Sequence, residues 1–450
     1  MTDEWHARTA VELGAAIERG DIDPVDLTDY FLARIAERDP DHLVYLRLTP
    51  DRARAEATAA RERAKAGSRR GPLDGVPISW KDIYDSAGTA TTMGTPLMAD
   101  RVPDRDAKVL ARATQAGLVC LGKTNTVQFA LGGLGLNTHT GTPPNAAATD
   151  TPRAPGGSSC GAAVSAASGL APAAIGSDTG GSVRIPAAWN GLVGLKTSFG
   201  ALPTEGVMAL APSLDTVGPL TKSVADATHL FAVMADEAPV DLSGARLDDC
   251  TFLVSESVVW DGADTEIADA VRAGIERLAA AGARVEWGAV PEFDEIDHVL
   301  NTIGGTVTSE GYATWKELID AHPDQIDDFV LARFLQGRDM SAENIGIVEA
   351  AARDQAQALY ERMAGYSAIL APTVPIVPPP IEQVSAGPDA YQASNMKALR
   401  NTRLGNVLPC CALTLPCPGP MPAGLMLMGP PGADGALLRI GAAAEPVLRG

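Results

Sequence analysis

Residues 154–196 read APGGSSCGAAVSAASGLAPAAIGSDTGGSVRIPAAWNGLVGLK. Two short apolar runs, PAAIGS and GLVGL, bracket the helix-like SVRIPAAW, and glycine and serine crowd around them. Strand-sized runs alternating with helix-sized ones predict an α/β fold. So many glycines cost backbone entropy, which demands a reason. One reason is that Gly180 and Gly181, just before Ser182, let backbone N–H groups turn inward into a nest for a negatively charged oxygen. The plainer alternative is a tight turn leading into the helix SVRIPAAW.

Upstream of this stretch the same texture holds. From residue 71 the runs VPISW and LVCLG alternate with Ala-rich segments and Gly/Pro turns, which implies a mixed sheet. The first 65 residues look helical: VELGAAIERG, then DPVDLTDYFLARIAERD with Asp23 as N-cap before Pro24, then DRARAEATAARERAKAG. Downstream, Ile267, Val271, Ile275 and Leu278 fall on one helical face before the strand-like ARVEW. The segment 291–363 is helical and polar, and SAILAPTV, ALTLP and PAGLMLMG return to strand character near the end of the chain. Those late strands argue against a split into two domains. The Pro-rich PTVPIVPPPIEQVSAGPD reads as an internal loop, because strand-like residues flank it on both sides.

Bulk properties narrow the function. A chain of 450 residues, 46% of them hydrophobic, can bury a large core. With 36 basic against 56 acidic residues the net charge is -20, which disfavours phosphate backbones and anionic membrane surfaces, so neither nucleic acid nor membrane is expected as a partner. The N-terminus MTDEWHARTAVELG lacks the apolar stretch of a signal peptide, and no apolar run is long enough to span a bilayer, so a cytoplasmic location is expected. Cys120, Cys160, Cys250, Cys410, Cys411 and Cys417 lie mostly in apolar runs and read as buried thiols. Without Cys-x-x-Cys spacing or a nearby His pair, they predict no metal site.

Two familiar patterns match and mislead. Residues 117–124, GLVCLGKT, fit G-x-x-x-x-G-K-[ST], yet LVCL is an apolar strand where a phosphate cradle needs a flexible polar loop. Residues 157–161, GSSCG, fit G-x-S-x-G with Ser159 central, yet a loop precedes them where a nucleophile elbow requires a strand.

The stretch 154–196 resembles the serine- and glycine-rich signature of the amidase signature family, through GGSS (156–159), GSDTGGS (176–182), RIPAA (184–188) and GLVGLK (191–196). GPLDGVPISWKD (71–82) resembles the segment carrying the family's lysine, and TTMGT, GKTN and NTHTGTPPN resemble its intervening loops. PAGLMLMGPPGADGALLRIGAAAE looks like its closing strand and helix. The resemblance implies one amidase domain over 1–450, with a central twisted mixed sheet covered by helices on both faces. Within it, 1–65 would form an N-terminal helical layer, 71–200 the catalytic core and 290–365 a helical, pocket-forming insertion.

Residue by residue, the resemblance makes Ser182 the nucleophile, Ser158 the bridging serine and Lys81 the general base. The serines stand 24 residues apart (182 less 158), the family's own separation. Backbone N–H groups of Thr179, Gly180 and Gly181, with Ser182, would form the oxyanion hole. Asp178 and Arg184 would hold those loops, Gln128 is a candidate substrate contact, and the Gly157–Ser158 peptide would be cis. The chemistry is coherent, because a serine hydroxyl needs a base and Ser–Lys arrangements substitute for Ser–His–Asp. Lysine serves as base only if burial lowers its pKa from about 10.4 toward 7 to 8. Cys160 in place of the family's usual glycine, Pro144, Ala146 and Thr197 depart from the pattern and bear on pocket shape. A thiol at 160 has no evident base and reads as a small buried residue.

The implied enzyme hydrolyses the C–N bond of small amides, anilides or carbamates, as an amidase, urethanase or aryl acylamidase, with no cofactor and no metal, as a monomer or homodimer. The alternative is the glutaminase component of a tRNA-dependent amidotransferase. Against it, PPGADGALL lacks a clear match to the acidic residue that holds the glutaminase's substrate amino group.

Overall fold

A computed structural model describes residues 4–449. Its strands are β1 (Tyr45–Leu48), β2 (Pro77–Lys81), β3 (Val119–Thr124), β4 (Ala173–Asp178), β5 (Val193–Lys196), β6 (Thr216–Thr221), β7 (Thr251–Ser255), β8 (Arg284–Gly288), β9 (Ala368–Pro372), β10 (Cys411–Cys417) and β11 (Ala423–Gly429). They form one 11-stranded sheet in the order β1-β3-β2-β4-β6-β5-β10-β11-β9-β7-β8. β2 runs parallel to β3 and β4, and β7 parallel to β8 and β9, while the other neighbours are antiparallel. The sheet is therefore mixed, as the alternation of runs predicts.

Period-two alternation assigns the side chains to two faces. Leu413, Leu415, Leu425 and Leu427 pack with Ile267, Val271, Ile275 and Leu278 of the helix Thr265–Ala280 and with Leu437 and Leu438 of Asp434–Arg449. Ala412, Met426 and Met428 pack instead with Phe293 and Ile296 of the helix Pro291–Thr302, Leu359 of Ala342–Met363 and Leu404 of Pro388–Val407. Helices thus cover both faces, so the central strands are buried on each side and read as continuous apolar runs. The edge strand β8 instead keeps Arg284 and Glu286 in solvent, which blunts an otherwise open edge.

The N-terminal helices form at Ala10–Glu18, Pro24–Arg38 and Pro50–Lys65, with the Asp23 carboxylate accepting the Val25 N–H at 2.8 Å as the cap. The first 65 residues are not wholly helical, however. Tyr45–Leu48 forms β1, antiparallel to β3. The Asp39 carboxylate gathers the N–H groups of Leu43, Val44 and Tyr45 ahead of it, a device with no periodic signature, and four residues are too few to display one.

The two misleading motifs resolve locally. GLVCLGKT contributes β3, where Lys123 is buried and ion-paired with Asp82 at 3.0 Å. GSSCG leads into the helix Cys160–Ala167 with no strand before it. None of the described helices is long and apolar enough to cross a membrane.

Candidate active site

Parallel pairing of β2 with β4 aligns Trp80 with Ile175, which brings Lys81 at the end of β2 beside Ser177 near the end of β4. Lys81 is wholly buried. Its Nζ donates to Ser158 Oγ at 2.7 Å and to Ser177 Oγ at 2.8 Å. Burial is the dominant influence on its ammonium and lowers its pKa from 10.5 to about 7. No carboxylate lies within ion-pair distance of it among the described residues to restore the charge.

Ser158 follows a cis Gly157–Ser158 peptide bond. Its carbonyl accepts from Val127 N at 3.2 Å and Thr126 Oγ1 at 3.0 Å, and Gly157 N donates to Gly133 O at 2.8 Å. A Cβ on Gly157 would stand 2.7 Å from Gly135 N, so only glycine fits there. Ser159 lies apart from Lys81, its Oγ 3.3 Å from the Ser177 carbonyl. Burial pushes the Cys160 thiol up to about 12, which leaves it inert at neutral pH.

Ser182 reaches a cavity of about 550 Å³, whose walls include Thr179, Gly180, Arg333, Met396 and Arg403. The loop bearing it is stapled by Asp178. That carboxylate accepts from Gly181 N at 2.8 Å and Val183 N at 3.1 Å, and pairs with Arg184 through Nε at 3.0 Å and Nη2 at 2.9 Å. Asn406 Nδ2 adds a bond at 2.9 Å. Burial alone would raise the Asp178 pKa, but the adjoining Arg184 charge outweighs it and holds the carboxyl well below the usual range. The pair is fully buried, not a surface ion pair.

Two details differ from the sequence reading. The Gly181 N–H is spent on Asp178, so it does not face the cavity as a free donor. Among the described residues no protein acceptor engages the N–H of Thr179, Gly180 or Ser182. Gln128 is neither on the surface nor on the cavity wall: its buried amide donates to Thr95 Oγ1 at 3.0 Å and Gln325 O at 2.8 Å and accepts from Asp327 N at 2.8 Å. All of its polar atoms are engaged in fixing the turn before the helix Asp328–Arg338.

Other groups of the site carry no signal of their own in the sequence. Ser177 shares Lys81 with Ser158, and period-two reading of β4 could have separated it from Asp178. Asp215 accepts from Thr179 Oγ1 at 2.5 Å. Thr402 Oγ1 donates to Gly180 O at 2.8 Å and, with Asn406, comes from the helix Pro388–Val407. Their spacing of four residues places both on one helical face.

The two glycines of the loop are distinguishable by substitution. A Cβ on Gly181, at φ 135°, would stand 2.1 Å from Thr402 Oγ1, whereas one on Gly180 meets only Leu399 Cδ2 at 3.9 Å. Gly181→Ala is therefore expected to cost about 1–3 kcal/mol of stability and, by shifting Ser182, about 100-fold in kcat. Gly180→Ala should unfold at the wild-type midpoint. Denaturant titrations and steady-state assays of both variants check this; equal stability for the two would contradict it.

The amidase family model matches residues 26–438. A 2-amino-5-chloromuconic acid deaminase from Comamonas testosteroni is 36% identical over 97% of this chain and 95% of its own length. The A component of a glutamyl-tRNA(Gln) amidotransferase from Chloroflexus aurantiacus is 33% identical over 97% of this chain and 96% of its own. A solved amidase structure superposes with a TM-score of 0.87 at 31% identity, covering 98% of this chain and 100% of that one. With sequence and fold alike matched along nearly its whole length, the chain belongs to the amidase family and is an amidohydrolase acting on carbon–nitrogen bonds.

Proposed function

We propose that the enzyme hydrolyses a small amide, anilide or carbamate through an acyl-enzyme on Ser182, with Lys81 as base and Ser158 as the bridge between them. The supporting observation is the 2.7 Å contact between Lys81 Nζ and Ser158 Oγ, made by a lysine that burial brings to a pKa of about 7. Neutral Lys81 takes the Ser158 proton, Ser158 takes the Ser182 proton, and the Ser182 oxygen attacks the carbonyl carbon. The N–H groups of Thr179, Gly180 and Ser182 stabilise the resulting oxyanion. Ser158 returns its proton to the leaving nitrogen and is reprotonated by Lys81, and the C–N bond breaks. Water then attacks the ester, its proton passing to Lys81 through Ser158, and Ser182 leaves as the alcohol. Asp178 and Arg184 keep the loop in register and touch no reacting atom.

The relative named for deaminating a muconic acid supports a stand-alone hydrolase whose product is ammonia or an amine. The amidotransferase relatives support a second reading, a glutaminase working with partner proteins. In the first reading the protein works as a cytoplasmic monomer or homodimer. Assays of an aliphatic amide, an anilide, a carbamate and glutamine, read as released amine or ammonia, separate the two. Turnover of the first three favours the hydrolase; turnover of glutamine alone, rising when partner proteins are added, favours the second. Turnover of none overturns both.

A further inference from the structure

Thr179 opens the turn proposed to hold the oxyanion, and it is buried. Its hydroxyl has one partner among the described residues, Asp215 Oδ1, to which it donates at 2.5 Å. Strand register brings the two together. β4 and β6 run antiparallel with Asp178 opposite Thr216, so the residue after the one strand, Thr179, meets the residue before the other, Asp215. Thr216 Oγ1 donates to Asp178 O at 2.7 Å and fixes the start of the turn.

Asp215 uses both of its oxygens. Oδ1 takes the Thr179 hydroxyl, and Oδ2 accepts from Leu210 N at 2.8 Å and Ala211 N at 3.2 Å. A carboxylate offers acceptors on both sides, where a carboxamide would turn its N–H groups against one set of donors. Burial raises the Asp215 pKa, and these three donors oppose that rise because they bond the ionised form. The loop carrying Asp215 is itself anchored to the helix Thr306–Ala321. Trp315 Nε1 donates to Ala209 O at 2.9 Å, and Ser213 N donates to Glu310 at 3.0 Å. Leu210, whose N–H goes to Asp215, lies on the wall of the Ser182 cavity. Asp215 thus ties the hydroxyl of Thr179 to a fixed segment of the pocket wall.

We infer that Asp215 is a positioning residue for the reaction: through the Thr179 hydroxyl it holds the Thr179 N–H in the direction of the oxyanion. It touches no reacting atom. The inference rests on the proposed oxyanion turn and adds what holds the first donor of that turn. Asp178 does not fill this role, since its bonds go to Gly181 N, Val183 N and Arg184, all beyond Thr179. Removing an oxyanion donor outright costs about 100- to 1,000-fold in kcat, so a donor that is present but loosened should cost part of that.

The test uses whichever of an aliphatic amide, an anilide and a carbamate the wild type turns over fastest. Thr179→Val removes the hydroxyl and keeps the branched shape. It is expected to lose about 10- to 100-fold in kcat with KM within about threefold of wild type. Thr179→Ser, which restores a hydroxyl, should recover most of that loss. Asp215→Ala should lose a similar factor, and the double variant Thr179→Val, Asp215→Ala no more than the worse single, because both act through one hydrogen bond. Denaturant midpoints identify a variant that fails to fold. If Asp215→Ala is one, the Thr179 pair decides, since it leaves Leu210 and Ala211 bonded to Asp215. Full kcat in Thr179→Val, a loss that Thr179→Ser does not recover, or additive losses in the double variant overturns the positioning role. Ser182→Ala separates this from the catalytic reading. Turnover retained there faults the nucleophile, while a kcat-only loss in Thr179→Val still supports the positioning, because an oxyanion forms whichever group attacks. Full kcat in Thr179→Val beside an inactive Ser182→Ala faults the positioning alone.

Discussion

Ser182→Ala is expected to reduce amide hydrolysis at least about 1,000-fold, to near the background rate, while the cavity keeps its affinity for substrate. The alanine removes only the oxygen proposed to attack the carbonyl. The loop's geometry survives because it depends on Asp178, whose bonds to Gly181 N, Val183 N and Arg184 involve no atom of the Ser182 side chain. Losses from the three proposed groups should not add, since they act in one relay: Ser182→Ala combined with Lys81→Met should be no slower than the worse of the two. Activity retained by Ser182→Ala would displace the nucleophile to another group. Cys160 is a poor replacement because its burial keeps it protonated.

The second large effect is on Lys81. With a pKa of about 7, the amine is mostly protonated below neutrality and cannot accept the Ser158 proton. The kcat/KM of wild type should therefore fall about tenfold for each pH unit below 7 and level off above it. Lys81→Met should lose about 1,000-fold or more in kcat at every pH and show no such limb. Stability should move the other way. The folded pKa lies below the unfolded one, so the unfolded state binds more protons between pH 7 and 10.5 and stability rises with pH across that window. Below pH 7 the folded protein carries the whole penalty, about 4–5 kcal/mol. Lys81→Met is thus expected to be the more stable protein at pH 6 and to lose its advantage toward pH 10. A methionine variant no more stable at pH 6 would mean that the lysine is better solvated than its surroundings imply.

Much of this is legible in the sequence because local chemistry and global fold agree in the signature stretch. PAAIGS and GLVGL suit buried strands, and Ile267, Val271, Ile275 and Leu278 suit one face of a helix. The G-K-T and G-x-S-x-G patterns fail as functional motifs because what precedes each is the wrong element for the chemistry it imitates. What stays hidden depends on long-range neighbours. Ser177 acquires its role from the pairing of β2 with β4, and Asn406 and Thr402 from a helix whose buried face is rich in amides and so carries no clean hydrophobic period. Gln128 resembles a surface or pocket group because a buried glutamine is recognisable only by its partners, Thr95, Gln325 and Asp327. The Gly181 N–H is hard to assign for the same reason: in sequence Asp178 is simply three residues away, and only the folded loop turns its carboxylate back onto that donor.

The most direct test of the nucleophile is to trap it. Wild type is treated with an aryl carbamate whose carbamoyl-enzyme hydrolyses slowly, quenched in acid and digested, and the adduct is located by tandem mass spectrometry. A single carbamoyl group on Ser182, lost in Ser182→Ala and formed more slowly in Lys81→Met, is the result this mechanism requires; an adduct on Ser158, Ser159 or Cys160 with Ser182 unmodified would contradict it.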